Sequence, residues 1–353
     1  MRTASEAVVE IGDHLLEDPS WNDVVERSEA SIFHRSELLH AYRAYPLRTT
    51  LGMYFLGVRS TRTSRLTVAL PVFLLPADDP LGVCPSLLAG FSPAGRPLLL
   101  SHNWHCYDSR LPAVDPNPGT LAAVRSALGS LARDVGAQAF GFVNVPAGDV
   151  LADLLIDVGA DVQPIDARYV LDLRSMNSVE DYLARLRPRV RQEMRRHTRA
   201  MHAAGYHVTV GPPEEADMAE AARLCGLTSA KHGNPGWYDI EHLTRFGMEL
   251  RAHIRLIMIR RGTEIVAASV SLLDGRRFHN WAGGTVETAE LSFSPYQVML
   301  RSTIEAAVLS GCAVLEGGRR NDGWKERFGL SRLPLLGCLT SADHIGGRGM
   351  MQQ

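Results

Sequence analysis

Apolar positions recur along this chain at two periods, and the switches between them predict an order of elements. Segments 51–58 (LGMYFLGV) and 66–75 (LTVALPVFLL) flank the polar turn RSTRTSR, which predicts two neighbouring strands. Residues 120–136 carry apolar side chains at helical spacing, and 138–145 (QAFGFVNV) returns to a strand pattern. A short helix over 149–157 stops at Gly159, and 167–173 (ARYVLDL) predicts another strand. The second half begins with an arginine-rich helix over about 178–204, ended by Gly205, then a strand (YHVTV) and a helix from about 214. A helix over 239–252, strands over 254–260, 264–273 and 277–283, a helix over about 295–310 and a strand at 312–316 (CAVLE) complete the series.

Both halves run through helices, a strand meander, then a helix and another strand. No repeat of residues accompanies that order, so the pattern predicts a duplicated α+β unit. The break lies near 174–178, where Arg-Ser-Met-Asn-Ser interrupts the strand pattern and offers a helix cap. The expected division is 1–174 and 175–340, with 341–353 as a frayed tail.

The 353 residues include 37 basic and 39 acidic side chains, a net charge of −2, and are 45% hydrophobic. These are globular values, and the length suffices for two cores. Near-neutrality argues against non-specific coating of nucleic acid but permits a local basic patch. The five cysteines are far apart and form no Cys-x-x-Cys pair, so neither a disulfide framework nor a structural zinc is expected. Acidic residues occupy the N-terminus where a signal peptide has an apolar run, and no window approaches membrane-spanning length. A cytoplasmic protein without membrane insertion is expected. Only Lys231 and Lys325 among the 37 basic residues are lysines. Genomic drift toward arginine explains that ratio and suggests that a retained lysine sits where arginine does not substitute.

Both lysines fall in chemically dense stretches. Residues 228–238 (TSAKHGNPGWY) place Lys231, His232, Trp237 and Tyr238 around a Gly-Asn-Pro-Gly turn, which suits a substrate-binding lid or, equally, a surface turn with Trp237 tucked into the core. Residues 311–329 (GCAVLEGGRRNDGWKERFG) run from a buried strand into a glycine-rich charged loop. Glu316 and Arg319 leave the strand's carboxyl end, where α/β architectures place ligands. Lys325 follows Trp324, an ammonium beside an aromatic wall that suits an anion or a developing oxyanion; its alternative is a solvated loop with Trp324 and Phe328 as core anchors. A third cluster, 101–110 (SHNWHCYDSR), offers His105, Tyr107 and Asp108 for acceptor recognition; its alternative is a strand end of satisfied polar groups. Adjacent His105 and Cys106 do not readily meet as a nucleophilic pair, and no third and fourth zinc ligands stand at sensible spacing.

These stretches carry a family resemblance. Arg195-Arg196-His197 through Gly205-Tyr206-His207-Val208, Lys231-His232-Gly233-Asn234-Pro235, Gly262–Ala268, Ser294-Pro295-Tyr296, and Gly323-Trp324-Lys325 with Phe328-Gly329 occur in the order typical of the FemAB-like branch of the GNAT acyltransferase superfamily. The match spans about 180–335 and has tryptophan at 324 where phenylalanine is usual. The resemblance implies two tandem GNAT-like domains, each a mixed, mostly antiparallel sheet flanked by helices, with a cleft between them. It also implies transfer of an acyl or aminoacyl group to an amine without a metal or a covalent enzyme intermediate. The first domain would take the acceptor side. Carried over, Trp324 stacks on the donor's ester end and Lys325 offsets charge in the tetrahedral intermediate. His279, on the strand lining the transfer groove, is a candidate base or, equally, a partly buried structural histidine, and Tyr296 is a candidate proton donor.

Two donors remain open. The coenzyme A-binding loop of GNAT enzymes is glycine-rich, whereas Leu291–Gln297 here contains no glycine, which favours charged tRNA over an acyl-CoA or carrier-protein thioester. Seven arginines crowd 185–199, and Arg191, Arg195, Arg196 and Arg199 are candidates to meet tRNA phosphates; their alternative is a solvated helix face. The expected function is aminoacyl transfer from tRNA to the amine of a small molecule of specialised metabolism or of a cell-wall precursor. A thioester-dependent N-acyltransferase and a non-catalytic GNAT-like binding module are the alternatives.

Overall fold

The computed structural model of the protein describes residues 7–286 and 291–343. The described residues divide into two compact units: unit 1 holds those of 7–43, 49–166 and 334–343, and unit 2 those of 44–48 and 167–333. The 341–353 tail expected to fray lies outside the described residues from 344 onward.

In unit 1, β1 (Ala7–Ile11), α1 (Ser20–Arg27) and α2 (Ser36–Ala44) precede the hairpin of β2 (Gly52–Ser60) and β3 (Leu66–Leu75). Then come α3 (Cys84–Leu87), β4 (Leu98–Ser101), α4 (Pro118–Asp134), β5 (Ala139–Pro146) and α5 (Val150–Asp157). Asn117 and Asp149 cap α4 and α5, each accepting a hydrogen bond from a first-turn N–H. β1 to β4 form an antiparallel meander, β5 joins β4 in parallel, and β12 (Ser331–Ser341) closes the sheet antiparallel to β5. Leu70, Val72, Leu99, Val124, Leu128 and Phe142 are among the buried core of this unit.

In unit 2, β6 (Gln163–Asp172) leads to α6 (Val179–Arg185) and α7 (Pro188–Ala203). These two helices replace the single helix expected over 178–204. Leu186 and Arg187 are extended because Pro188 bars the preceding residue from helical geometry, and the proline itself starts α7. Ser178 and Asp181 form a reciprocal capping box on α6, as the Arg-Ser-Met-Asn-Ser break suggested. Next come β7 (His207–Gly211), α8 (Glu215–Lys231), α9 (Ile240–Glu249), β8 (Ile254–Arg261), β9 (Glu264–Leu273) and β10 (Arg277–Thr285). The chain continues through α10 (Pro295–Leu309), β11 (Val314–Arg319) and α11 (Asp322–Arg327) before β12. β7 to β10 are an antiparallel meander, β11 joins β10 in parallel, and β6 closes the sheet antiparallel to β11.

The two units therefore share one strand plan, with an exchange that the order along the chain does not reveal. A simple duplication would close unit 1 with β6 and unit 2 with β12. Instead β12 pairs with β5, with Leu335 opposite Pro146 and Ser341 opposite Ala139, while β6 pairs with β11, with Leu171 opposite Leu315. Residues 167–174 thus fall with unit 2 rather than before it, and residues from 334 with unit 1. Close packing fixes α8 against β10 in unit 2: a Cβ at Gly284 would stand 2.1 Å from the Leu224 carbonyl oxygen.

Unit 1 also contains a buried histidine with a defined tautomer. His102 Nδ1 accepts from the Asn103 N–H at 2.7 Å, so its Nε2–H donates to the Phe33 carbonyl at 2.8 Å. Burial, with His34 close by, holds its pKa well below the ordinary 6.5. The folded form keeps the ring neutral, so below about pH 6.5 the unfolded chain binds the extra proton and stability falls as pH falls. Urea melts between about pH 7.5 and 5.5 should show wild type losing up to about 1.4 kcal/mol more per pH unit than His102→Gln. Parallel curves for the two proteins would count against this origin.

Candidate active site

The site in unit 2 begins where two parallel strands stop pairing. β10 and β11 match at only three levels, Arg277 with Val314, Phe278 with Leu315 and His279 with Glu316. Beyond them β10 stays with β9 as far as Thr285, with a bulge at Trp281, and β11 stays with β6 as far as Arg319, with its own irregularity after Glu316. A parting at the carboxyl ends of neighbouring parallel strands opens the kind of crevice in which open sheets bind ligands.

The chain leaving β11 is tightly turned. Gly318, Arg320 and Asn321 have φ of 71°, 63° and 58°. At Arg320 this backbone is costly, by about 1 kcal/mol, a strain typical of functional loops. The turn delivers α11, and Lys325 on it is only 5% exposed. Its Nζ donates to the Arg319 carbonyl at 2.7 Å and lies 5.3 Å from the centroid of the Tyr169 ring on β6. An ammonium over a ring in a largely dry place is a preorganised positive charge.

Beside it Trp324 is held between two aromatic rings, with centroids 4.3 Å from both Tyr296 and Phe328. Tyr296 sits in the first turn of α10, behind Ser294, whose hydroxyl caps the Gln297 N–H at 3.4 Å. Its hydroxyl accepts from Asn321 Nδ2 at 3.1 Å, its ring is 39% exposed, and burial of the phenol raises its pKa. α7 and α11 brace this corner. His197 Nδ1 accepts from the Ser294 N–H at 3.0 Å, and Glu193 takes Gln297 Nε2 at 2.7 Å while pairing with Arg327.

The other expected residues are distributed as follows. His279 is fully buried, with Nε2 3.0 Å from Asp274 Oδ2; burial opposes ionisation of Asp274, but the His279 hydrogen bond and Arg277 hold its carboxyl below the usual range. Glu316 is also buried, 3.4 Å from the guanidinium of Arg168, itself 2% exposed. Lys231 ends α8 and is exposed together with His232. Tyr238 is half-buried against Trp237 and the bulge residue Trp281, at 6.2 Å to each. Burial pushes its phenol up, with Cys225 adding and the nearby Arg319 opposing. Residues 45–48 bind this loop: Arg48 Nη1 donates to the Gly236 carbonyl at 3.0 Å and stacks over Trp237, and the Asp239 N–H donates to the Leu47 carbonyl.

His105, Tyr107 and Asp108 lie in unit 1, all buried. Tyr42 Oη is 3.3 Å from His105 Nδ1, and Arg110 bridges Asp108 and Asp149 at 3.1 and 2.8 Å. Of the helix arginines, Arg195 pairs with Glu180, Arg191 donates to the Ala184 carbonyl, Arg196 approaches His197, and Arg199 is exposed.

Sequence reasoning passed over Tyr169, Trp281, Asn321 and Arg168. Tyr169 and Arg168 sit in a segment that reads only as a strand. Asn321 had a signal, since asparagine after a glycine-arginine run favours left-handed backbone. Among the described residues no cluster of three or more His, Cys, Asp or Glu is placed to hold a metal, and no helix is long and apolar enough to cross a membrane.

Residues 188–326 match the acetyltransferase (GNAT) domain family. No curated protein matches the chain in sequence. Among solved structures, FemX is similar at a TM-score of 0.61 and 10% identity, covering 94% of this chain and 97% of its own. A tandem GNAT protein from the clavulanic acid biosynthesis pathway follows at 0.56 and 13% identity, over 96% and 99% of the two chains. L-PGS from Bacillus licheniformis is similar at 0.55 and 11% identity, over 91% of each. With the shared strand plan of the two units, these likenesses give the chain a fold like that of tandem GNAT proteins and FemX, and residues 188–326 carry the match to the acetyltransferase (GNAT) domain family.

Proposed function

We propose that the protein is an N-acyltransferase that moves an aminoacyl group from aminoacyl-tRNA to the amine of a small molecule or cell-wall precursor. The observation that carries this reading is Lys325, a buried cation held at the turn after β11 beside the Tyr296–Trp324 stack. The acceptor amine attacks the ester carbonyl carbon, forming a C–N bond. Negative charge gathers on the carbonyl oxygen, and the ammonium of Lys325 offsets it. The C–O ester bond then breaks. The ribose oxygen leaves with a proton from the Tyr296 phenol, which the amine's surplus proton replaces. Trp324, half-buried between Tyr296 and Phe328, backs the Tyr296 ring against the donor's ester end. Tyr238, Trp281 and Arg319 supply an aromatic and cationic wall for the acceptor, with Lys231, His232 and Trp237 on the adjoining loop. Fully buried His279 acts through Asp274 to set the turn between β9 and β10 rather than by touching substrate.

The FemX and L-PGS likenesses support aminoacyl transfer, and the glycine-free Leu291–Gln297 segment supports a donor other than coenzyme A. The acetyltransferase description of the matching family favours a thioester donor as the second reading. Ribonuclease added to a complete reaction distinguishes them. Amide formation should stop under the first reading, and turnover that survives would replace it with the second.

A further inference from the structure

Two adjoining hollows run along unit 2 beside α7 and α10. One, of about 380 Å³, is lined by Glu180, Gln192, Arg195, Thr198, Arg199 and Arg301. The other, of about 540 Å³, shares Thr198 and Arg301 and continues past His202, His207 and Arg255. Together they form one furrow. Arg195 and Arg199 stand one turn apart on α7 and so share a face, while Arg301 comes from α10. Each hollow contains one carboxylate, and each is matched: Glu180 by Arg195, and Glu305 by Arg301 at 3.0 Å. Arg199 and Arg255 are additional positive charges, and the Gln192 amide, the Ser302 hydroxyl and two imidazoles add hydrogen-bonding capacity. Val208, Val298 and Leu309 line the rest, and Leu309 is 80% exposed.

We infer that this furrow binds the sugar–phosphate backbone of an RNA strand; the inference rests on the reading of the donor as aminoacyl-tRNA. Guanidiniums spaced along a recess match successive phosphates, and the apolar stretches between them accept ribose faces. Two connected hollows exceed the needs of a single phosphate. A recess also excludes the flat face of a membrane, which would meet protruding cations instead. Helix α7 links the furrow to the candidate active site, because Glu193, next to Gln192 in sequence, is hydrogen bonded to Gln297 of α10 and paired with Arg327 of α11. The assignment singles out Arg195, Arg199, Arg255 and Arg301, and leaves Arg191 and Arg196 outside the path.

The test is fluorescence anisotropy with the full chain and a fluorescein-labelled RNA stem-loop bearing a single-stranded 3′ end. The Arg195→Gln/Arg199→Gln/Arg301→Gln variant should raise Kd about tenfold or more, and flatten the salt dependence by about one phosphate contact per arginine removed. Glu180→Gln, which removes a competing carboxylate, should tighten binding roughly twofold to threefold, a gain that misfolding cannot imitate. Unchanged Kd and salt slope in the triple variant would overturn the inference, as would an acidic peptide displacing the RNA at equal concentration. The donor reading is judged separately. Ribonuclease-resistant amide formation ends that reading while the binding comparison stands, and ribonuclease-sensitive turnover with unaltered binding in the triple variant ends the furrow alone.

Discussion

Lys325→Ala should lower kcat by about a hundredfold to a thousandfold with little change in KM, the effect of removing one preorganised charge from a transition state. The ammonium is 5% exposed, is held by the Arg319 carbonyl at 2.7 Å, and lies over the Tyr169 ring. Its position is therefore set before substrate arrives, so the cost of orienting charge is not met during reaction. Lys325→Arg should fail to restore activity. A Cβ built on Gly318 would stand 4.0 Å from Nζ, so the glycine borders the ammonium on one side and Tyr169 borders it on another. A planar guanidinium needs more width than that and presents its donors in a different fan. Steady-state turnover is measured well below the melting temperature of each variant, because losing the buried side chain also removes packing. Activity of Lys325→Ala within a factor of about two of wild type would remove Lys325 from the mechanism.

The second large effect concerns stability. Glu316→Ala should cost about 3–5 kcal/mol, and Arg168→Ala a similar amount, because each leaves an opposite charge buried without its counterpart. The two groups are 3.4 Å apart and each is 2% exposed. They meet because Glu316 pairs with Val170 across β11 and β6, which brings Arg168, two residues along, to the same face. Replacing both at once, as Arg168→Met/Glu316→Leu, should recover most of the loss, since an apolar pair of similar volume avoids the desolvation penalty. Chemical denaturation of the four proteins closes the cycle. If Glu316→Ala stays within about 1 kcal/mol of wild type, the pair is not a buried ion pair in solution. If the double variant folds stably and turns over normally, Glu316 also has no part in binding substrate, contrary to the expectation from its place at the strand end.

Much of the architecture was legible along the chain. The strand runs at 51–58, 66–75, 254–260, 264–273 and 277–283 all lie in observed strands with shifts of a residue or two, because alternating and continuous apolar runs report directly on burial. The helix at 295–310 was legible from Ser294-Pro295 at its start and Gly311 after its end, which are local capping requirements. The α6–α7 break was also written locally, in Pro188, but the arginine-rich run on both sides of it obscured it.

The partners were not legible. Tyr169 beneath Lys325, Arg168 beside Glu316, and Arg48 against Trp237 join positions far apart in the chain, and none of them has a neighbour in sequence that signals the contact. The exchange of β6 and β12 belongs to the same class. Both read as ordinary edge-forming strands, and which sheet each completes depends on backbone hydrogen bonds to β11 or β5 that any apolar strand can make. The sequence by itself thus determined the α+β class, the duplicated order of elements and the lysine–aromatic stretch, since periodicity, capping and composition act within a few residues. Tertiary structure alone decided which strand closes which unit, where residues 44–48 belong, and which ring and carbonyl hold Lys325, since register and side-chain pairing are settled only when distant segments compete for the same edge and the same buried charge.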